Sequence, residues 1–238
     1  MTKAHYIIFH PDNQRNNIKI SATAIVNGVV NKQWIGNVYV DKLNDGNEDP
    51  FVFVNPWLYS FCHASQLRRK TRSDNYLQKG SWLLFSSGNE ANEGRLTFDT
   101  IFLIAAIQTW FDKPLDLPLK YRDIPRNNTS ELWKFPFHGI HSGVTHTYEA
   151  ELWATSKNKF SFLPLDNNDS RVTIPFNALN STTLKKIVKN VKGKYPVLLT
   201  TGEIFEILNV IEQRVKTKVV KDISTNVAVT ILKEGKRC

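Results

Sequence analysis

Cysteine is scarce: the 238-residue chain has two, Cys62 and Cys238. Two thiols make no disulfide framework, and that usage fits a reducing compartment. No apolar run approaches the roughly 18 residues that a membrane-spanning helix needs. The longest, Ile101 to Ile107, has the length of a strand. The opening MTKAHYIIFH holds no signal-peptide apolar region and no small-residue cleavage site. The expectation is a cytoplasmic protein with no membrane contact. The ending KRC lacks the three residues that follow a prenylated cysteine, so Cys238 reads as a free thiol. The phosphate-loop, GxGxxG, GxSxG and HExxH signatures are missing as well. Cys62 and His63 are neighbours in sequence, whereas a catalytic Cys–His pair is distant in sequence and meets through the fold.

Acid is also short: 22 Asp and Glu stand against 31 Lys and Arg, for a net charge of +9. That balance favours a polyanionic partner, most often nucleic acid. The basic residues cluster at Arg68-Arg69-Lys70 with Arg72, and again from Lys185 to Lys221 with Lys233, Lys236 and Arg237 beyond. Hydrophobic residues make up 41% of the chain, enough for a packed core in one large domain or two small ones.

The local patterns predict a first strand over His5–His10 and a hairpin from Ile18 to Val40 turned at Asn27-Gly28. Ser60 to Lys70 fits a short helix with Phe61, Ala64 and Leu67 on its apolar face. Lys79-Gly80 is a turn, and strands follow at Ser81–Ser86 and Arg95–Gln108. Asp112 to Asn128 carries three prolines and reads as a linker or a lid. A further hairpin spans Tyr148 to Leu163, and Arg171–Phe176 is a short strand. The period then turns helical. Ser181–Val191 ends before Gly193. A capping box at Thr200 and Glu203 opens a second helix expected to run to about Lys221, and Val227–Leu232 reads as a last strand. The predicted class is α+β, with a β-rich part at 1–176 and a helical part at 177–238 packed on it. A single domain holding both parts is the open alternative.

Two groups of residues can carry chemistry. In the first, Arg68, Arg69, Lys70 and Arg72 neutralise phosphates, Trp82 or Trp57 stacks on an unpaired base, and His63, Gln66 and Asp99 hydrogen-bond its edge. Asp99 lies among Phe98, Ile101 and Phe102, where a carboxylate is costly without a donor. A structural partnership with an arginine is the equally open reading. In the second group, His138, His141 and His146 fall within nine residues, followed by Glu149 and Glu151. They can converge on a divalent metal ion, but the spacing matches no standard metal signature, and Gly139 and Gly143 oppose a helix there.

Within residues 61–107, Arg68-Arg69, Lys79-Gly80-Ser81-Trp82, Leu84-Phe85 and Phe98-Asp99-Thr100-Ile101-Phe102 resemble the nucleotide-modification-associated domains. Ser81 stands where an aspartate is common in them. The stretch is similar, more broadly, to small modules of the PUA, ASCH and EVE type. That resemblance implies a β-barrel-like core, a cleft beside the Lys-Gly turn that receives a base or nucleotide, and a role in nucleic-acid modification or phage defence. The expected function is a nucleic-acid-binding module, without a cofactor, that recognises a modified or extruded base. The alternative is a metal-dependent nuclease or hydrolase built on His138, His141 and His146. DNA versus RNA, the identity of the base, catalysis and the oligomeric state stay open at this point.

Overall fold

A computed structural model describes residues 3–12, 15–41, 50, 52–53, 55–59, 67, 77–109, 146–153, 158–191 and 196–225. In chain order its strands are β1 (His5–His10), β2 (Arg15–Val26), β3 (Val29–Asp41), β4 (Leu58–Tyr59), β5 (Trp82–Ser87), β6 (Arg95–Thr109), β7 (His146–Ala150), β8 (Leu163–Leu165), β9 (Val172–Pro175), β10 (Val197–Leu199) and β11 (Thr217–Ser224). The helices are α1 (Gly88–Asn92), α2 (Ser181–Val191) and α3 (Thr201–Glu212). One sheet has seven strands in the order β10-β1-β5-β6-β7-β4, with β9 also pairing β6; the other has four, β3-β2-β11-β8.

The β2–β3 hairpin follows from period-2 alternation. Ile18, Ile20, Ala22, Trp34, Val38 and Val40 are buried on one face, while Lys19, Ser21, Ile35 and Asn37 are exposed on the other. Asn27 and Gly28 both take positive φ, 49° and 81°, as a two-residue primed turn requires. Strand β1 instead reads as an unbroken buried run, because both its faces are covered. Tyr6 and Ile8 join a first core between the sheets, with Ile20, Trp34, Leu83, Phe85, Phe102 and Val219. Ile7 and Phe9 join a second core, with Leu84, Phe98 and Ile101, closed by Ile187 and Val191 of α2 and by Ile204, Ile207 and Ile211 of α3. The layers are therefore sheet, sheet and helices.

Two expectations need correction. The sheets stack across the first core, and no closed barrel forms among the described residues. The C-terminal part is not a helical unit packed on a β core, because its helices alternate with strands that enter both sheets. β10 pairs antiparallel with β1, and β11 pairs with both β2 and β8. The helix expected to reach Lys221 stops at Glu212. Val215 and Val219 fit helical spacing, but Thr217 and Val219 also alternate as a strand, and pairing with β2 decides the matter. The Lys216 N–H binds the Leu165 carbonyl at 2.8 Å and sets the register. The capping box at α3 is present, with the Thr200 hydroxyl and the Glu203 carboxylate each accepting from the other's backbone N–H. The expected strand at 227–232 and the segment 112–128 lie outside the described residues. No described helix is long and apolar enough to cross a membrane.

Phe85 is fully buried and meets the rings of Tyr59, His10 and Phe102 at centroid distances of 5.0, 5.4 and 6.3 Å. Phe85→Ala is expected to lose about 3–5 kcal/mol of stability. Ile35→Ala, on the exposed face, should stay within about 0.5 kcal/mol of the parent. Urea denaturation monitored by tryptophan fluorescence measures both.

Candidate functional site

Three chain passages, at the ends of β4 and β6 and the start of β7, lie near one end of the seven-stranded sheet. Strand β6 leaves the sheet at Thr109, which pairs with His146, the first residue of β7. In the antiparallel β4–β7 pair Tyr59 lies opposite Tyr148, so the chain leaving β4 runs toward that same end. The chain enters β5 from the same side but farther back, level with Ala150: the Gly80 N–H donates to the Ile104 carbonyl at 2.7 Å, and the Ile104 N–H donates to the Ser81 carbonyl at 2.9 Å. Gly80 takes a φ of 83° in this turn. The Ser81 hydroxyl accepts from the Gln78 N–H at 3.0 Å and holds the turn closed. Lys3 lies against Gly80, where a side chain would collide with its ammonium. Strands β4, β7 and β6 span two inter-strand spacings, about 10 Å.

Both segments singled out in the sequence have at least one described flank at this end of the sheet. The one holding His63, Gln66, Arg68, Arg69, Lys70 and Arg72 runs between Tyr59 and the Gly80 turn, and the one holding His138 and His141 runs between Thr109 and His146. These residues lie outside the described set, as does the side chain of His146. Leu67 is the one described residue of the expected helix; it is helical and buried in the first core. Glu149 is buried on β7, and Glu151 follows the strand, half-buried. Among the described residues no group of three or more His, Cys, Asp or Glu is placed to hold a metal ion.

The other expected site residues are enclosed, which corrects two roles. The Asp99 carboxylate is wholly shielded from solvent and pairs with Arg15 Nε at 3.4 Å and Arg171 Nη1 at 3.0 Å. Arg171 also reaches Asp12 at 3.5 Å and stacks over the Tyr39 ring at 4.1 Å. The Ser87 hydroxyl donates to Asp12 at 2.8 Å. Asp99 is thus the hub of a buried ion cluster and cannot reach a base edge. Burial raises its pKa, against the opposing pull of Arg15 and Arg171. Trp82 is 5% exposed in the second core and Trp57 is fully buried in the first, so neither ring offers a face to a base. Arg15 and Arg171 escaped sequence reasoning because nothing local marks them; Arg171 is 72 positions from Asp99.

His5 was also missed. Its Nδ1 accepts the Trp82 N–H at 3.0 Å, which places the proton on Nε2. Burial first, and then the Lys3 charge, lower its pKa from 6.5 to about 4. On the helical side, Lys186 pairs with Glu203 at 2.6 Å, while Lys185 and Lys189 lie exposed on α2, a helix with no acidic residue. No family model matches the chain, and no curated protein or solved structure matches it.

Asp99→Ala leaves two guanidinium groups without their buried counter-charge and is expected to cost about 3–5 kcal/mol in urea unfolding. Replacing the pair apolarly, Asp99→Leu with Arg15→Met, should cost less than the sum of the two single changes. His5 gives a second expectation. The unfolded chain takes up a proton on this residue below about 6.5, whereas the folded protein does so only near 4. Its contribution is complete above 6.5 and is lost as pH falls from 6.5 toward 4. The urea midpoint of the parent should fall across that window more steeply than that of His5→Gln. Parallel slopes would show that His5 is not held neutral.

Proposed function

We propose that the protein is a nucleic-acid-binding module that holds DNA or RNA at the corner where β4, β6 and β7 meet, and recognises a modified or unpaired base there. The observation that carries this reading is the topology. The Arg-rich segment follows Tyr59 of β4 and the His-rich segment joins Thr109 of β6 to His146 of β7, so both adjoin one end of this part of the sheet. Arg68, Arg69, Lys70 and Arg72 then serve as phosphate contacts, which add affinity but no sequence information. His63 and Gln66 are left as the polar groups for a base edge, since Asp99, Trp82 and Trp57 are committed to the interior. The net charge of +9 supports a polyanionic ligand. The resemblance of residues 61–107 to nucleotide-modification-associated domains supplies the context of nucleic-acid modification or phage defence.

The test is fluorescence anisotropy with DNA and RNA oligonucleotides, with and without modified bases, across a salt series. Affinity should fall linearly with salt on logarithmic axes. Arg68→Glu with Arg69→Glu should weaken binding and flatten that line by about 0.9 for each phosphate no longer neutralised. Lys19→Glu, on the outer face of the four-stranded sheet, serves as the control and should change little. Absence of salt-sensitive binding to every oligonucleotide would sink the proposal. Cleavage of the strand on adding Mg2+, Mn2+ or Zn2+ would transfer the assignment to the metal-dependent nuclease built on His138, His141 and His146.

A further inference from the structure

A cleft of about 290 Å3 lies between the β8–β9 loop and the end of α3, lined by Asp166, Asn167, Asn168, Thr173, Gln213 and Arg214. The backbones of both walls are held by hydrogen bonds that leave the ends of the lining side chains free. In the loop, the Asp166 carboxylate Oδ1 accepts the N–H groups of Asn168 and Ser170 at 2.8 and 3.0 Å. The Asp166 N–H donates to the Ser170 carbonyl at 2.8 Å, and Asp169 takes the left-handed conformation with φ 53° that closes the turn. On the opposite wall, the Gln213 N–H donates to the Asn209 carbonyl at 3.2 Å and the Arg214 N–H to the Ile211 carbonyl at 2.9 Å. The Lys216 N–H then ties this wall to the other through the Leu165 carbonyl.

The turn therefore uses one oxygen of Asp166 and backbone groups. The side-chain amides of Asn167, Asn168 and Gln213, the Arg214 guanidinium and Asp166 Oδ2 make no hydrogen bond to the described residues. These groups do not resemble a phosphate site: one cation faces one carboxylate, and the C-terminus of α3 adds partial negative charge. Nor do they resemble a site for a stacked base, since no aromatic ring lines the cleft. What they offer is a mixed set of neutral donors and acceptors, with one forked cation and one carboxylate. That set matches adjacent hydroxyl groups, each of which donates once and accepts twice.

We infer that this cleft binds a neutral polyhydroxylated group, a single sugar ring. The wall backbones are already hydrogen-bonded, so the ordering cost of binding falls on the free side chains. With no aromatic face to add buried area, the affinity is on the order of millimolar. This site is separate from the sheet corner and does not depend on nucleic-acid binding there.

The test is a titration of the full-length 15N-labelled protein with methyl glucosides, galactosides and mannosides and with ribose, followed by amide shifts. Inorganic phosphate and glycerol serve as comparison ligands. Saturable shifts centred on 166–168 and 213–214 are expected with at least one sugar, and should weaken about tenfold or more in Asn168→Ala with Gln213→Ala. Those side chains are exposed, so the variant keeps its fold, and an otherwise unchanged spectrum verifies this. No saturable shift with any sugar up to 50-fold above about 1 mM would overturn the inference. So would shifts that survive the double variant, or shifts that phosphate produces more strongly than any sugar.

Discussion

One buried carboxylate sets the relation between the two sheets. Asp99 belongs to β6 of the seven-stranded sheet, and Arg15 opens β2 of the four-stranded sheet. Arg171 closes the group from the residue before β9, and its guanidinium lies over Tyr39 of β3. An ionised group removed from water costs several kcal/mol, which the attraction of paired charges offsets only in good geometry. The cluster is therefore weak evidence of stability, while its geometry fits one register only. Sliding β2 by one residue would turn Arg15 away from Asp99 and send Ile18, Ile20 and Ala22 to the solvent face. Charge and hydrophobic pattern select the same register, and each reinforces the other.

Local features of this fold were legible in the sequence, and non-local ones were not. The Asn27-Gly28 turn, the Gly80 turn, α2 and the Thr200–Glu203 capping box stand where the residues around them require. The sequence misled at Thr217–Ser224, where helical and strand periods both fit and only the neighbours β2 and β8 discriminate. It misled again over the barrel, because alternation specifies strands and says nothing of how sheets close. The same limit governs the site. Asp99 could be recognised as a charge needing a partner, but its partners come from distant parts of the chain. Trp82 reads as a stacking platform in a basic segment, yet its strand is buried on both faces.

The molecule divides its labour spatially. Its rigid part is a double core, in which β1, β5 and β6 are shared by both layers. The paired arginines and clustered histidines of the sequence lie in the segments that follow β4 and precede β7 along the chain. Strand β4 is only two residues long, and its pairing with β7 sets Tyr59 opposite Tyr148. The proposed phosphate contacts would need no enclosed pocket, because charge acts over the Debye length of about 8 Å at physiological salt.

The pairing of β1 with β10, and of β2 with β11, also governs the order in which the chain can acquire its structure. Each early strand has one partner sooner, β5 for β1 and β3 for β2, but finds its second only late in the sequence, with Val26 opposite Thr217. A ribosome adding about 5–20 residues per second needs roughly 10–40 s to deliver β11 after β2 has emerged. During that interval the apolar face of the β2–β3 hairpin lacks one neighbouring strand, and β1 lacks one edge. Topologies of this kind have high contact order, fold slowly and leave strand edges open to other chains. The yield of folded protein on overexpression should therefore depend on translation speed as well as on the stability of the finished fold.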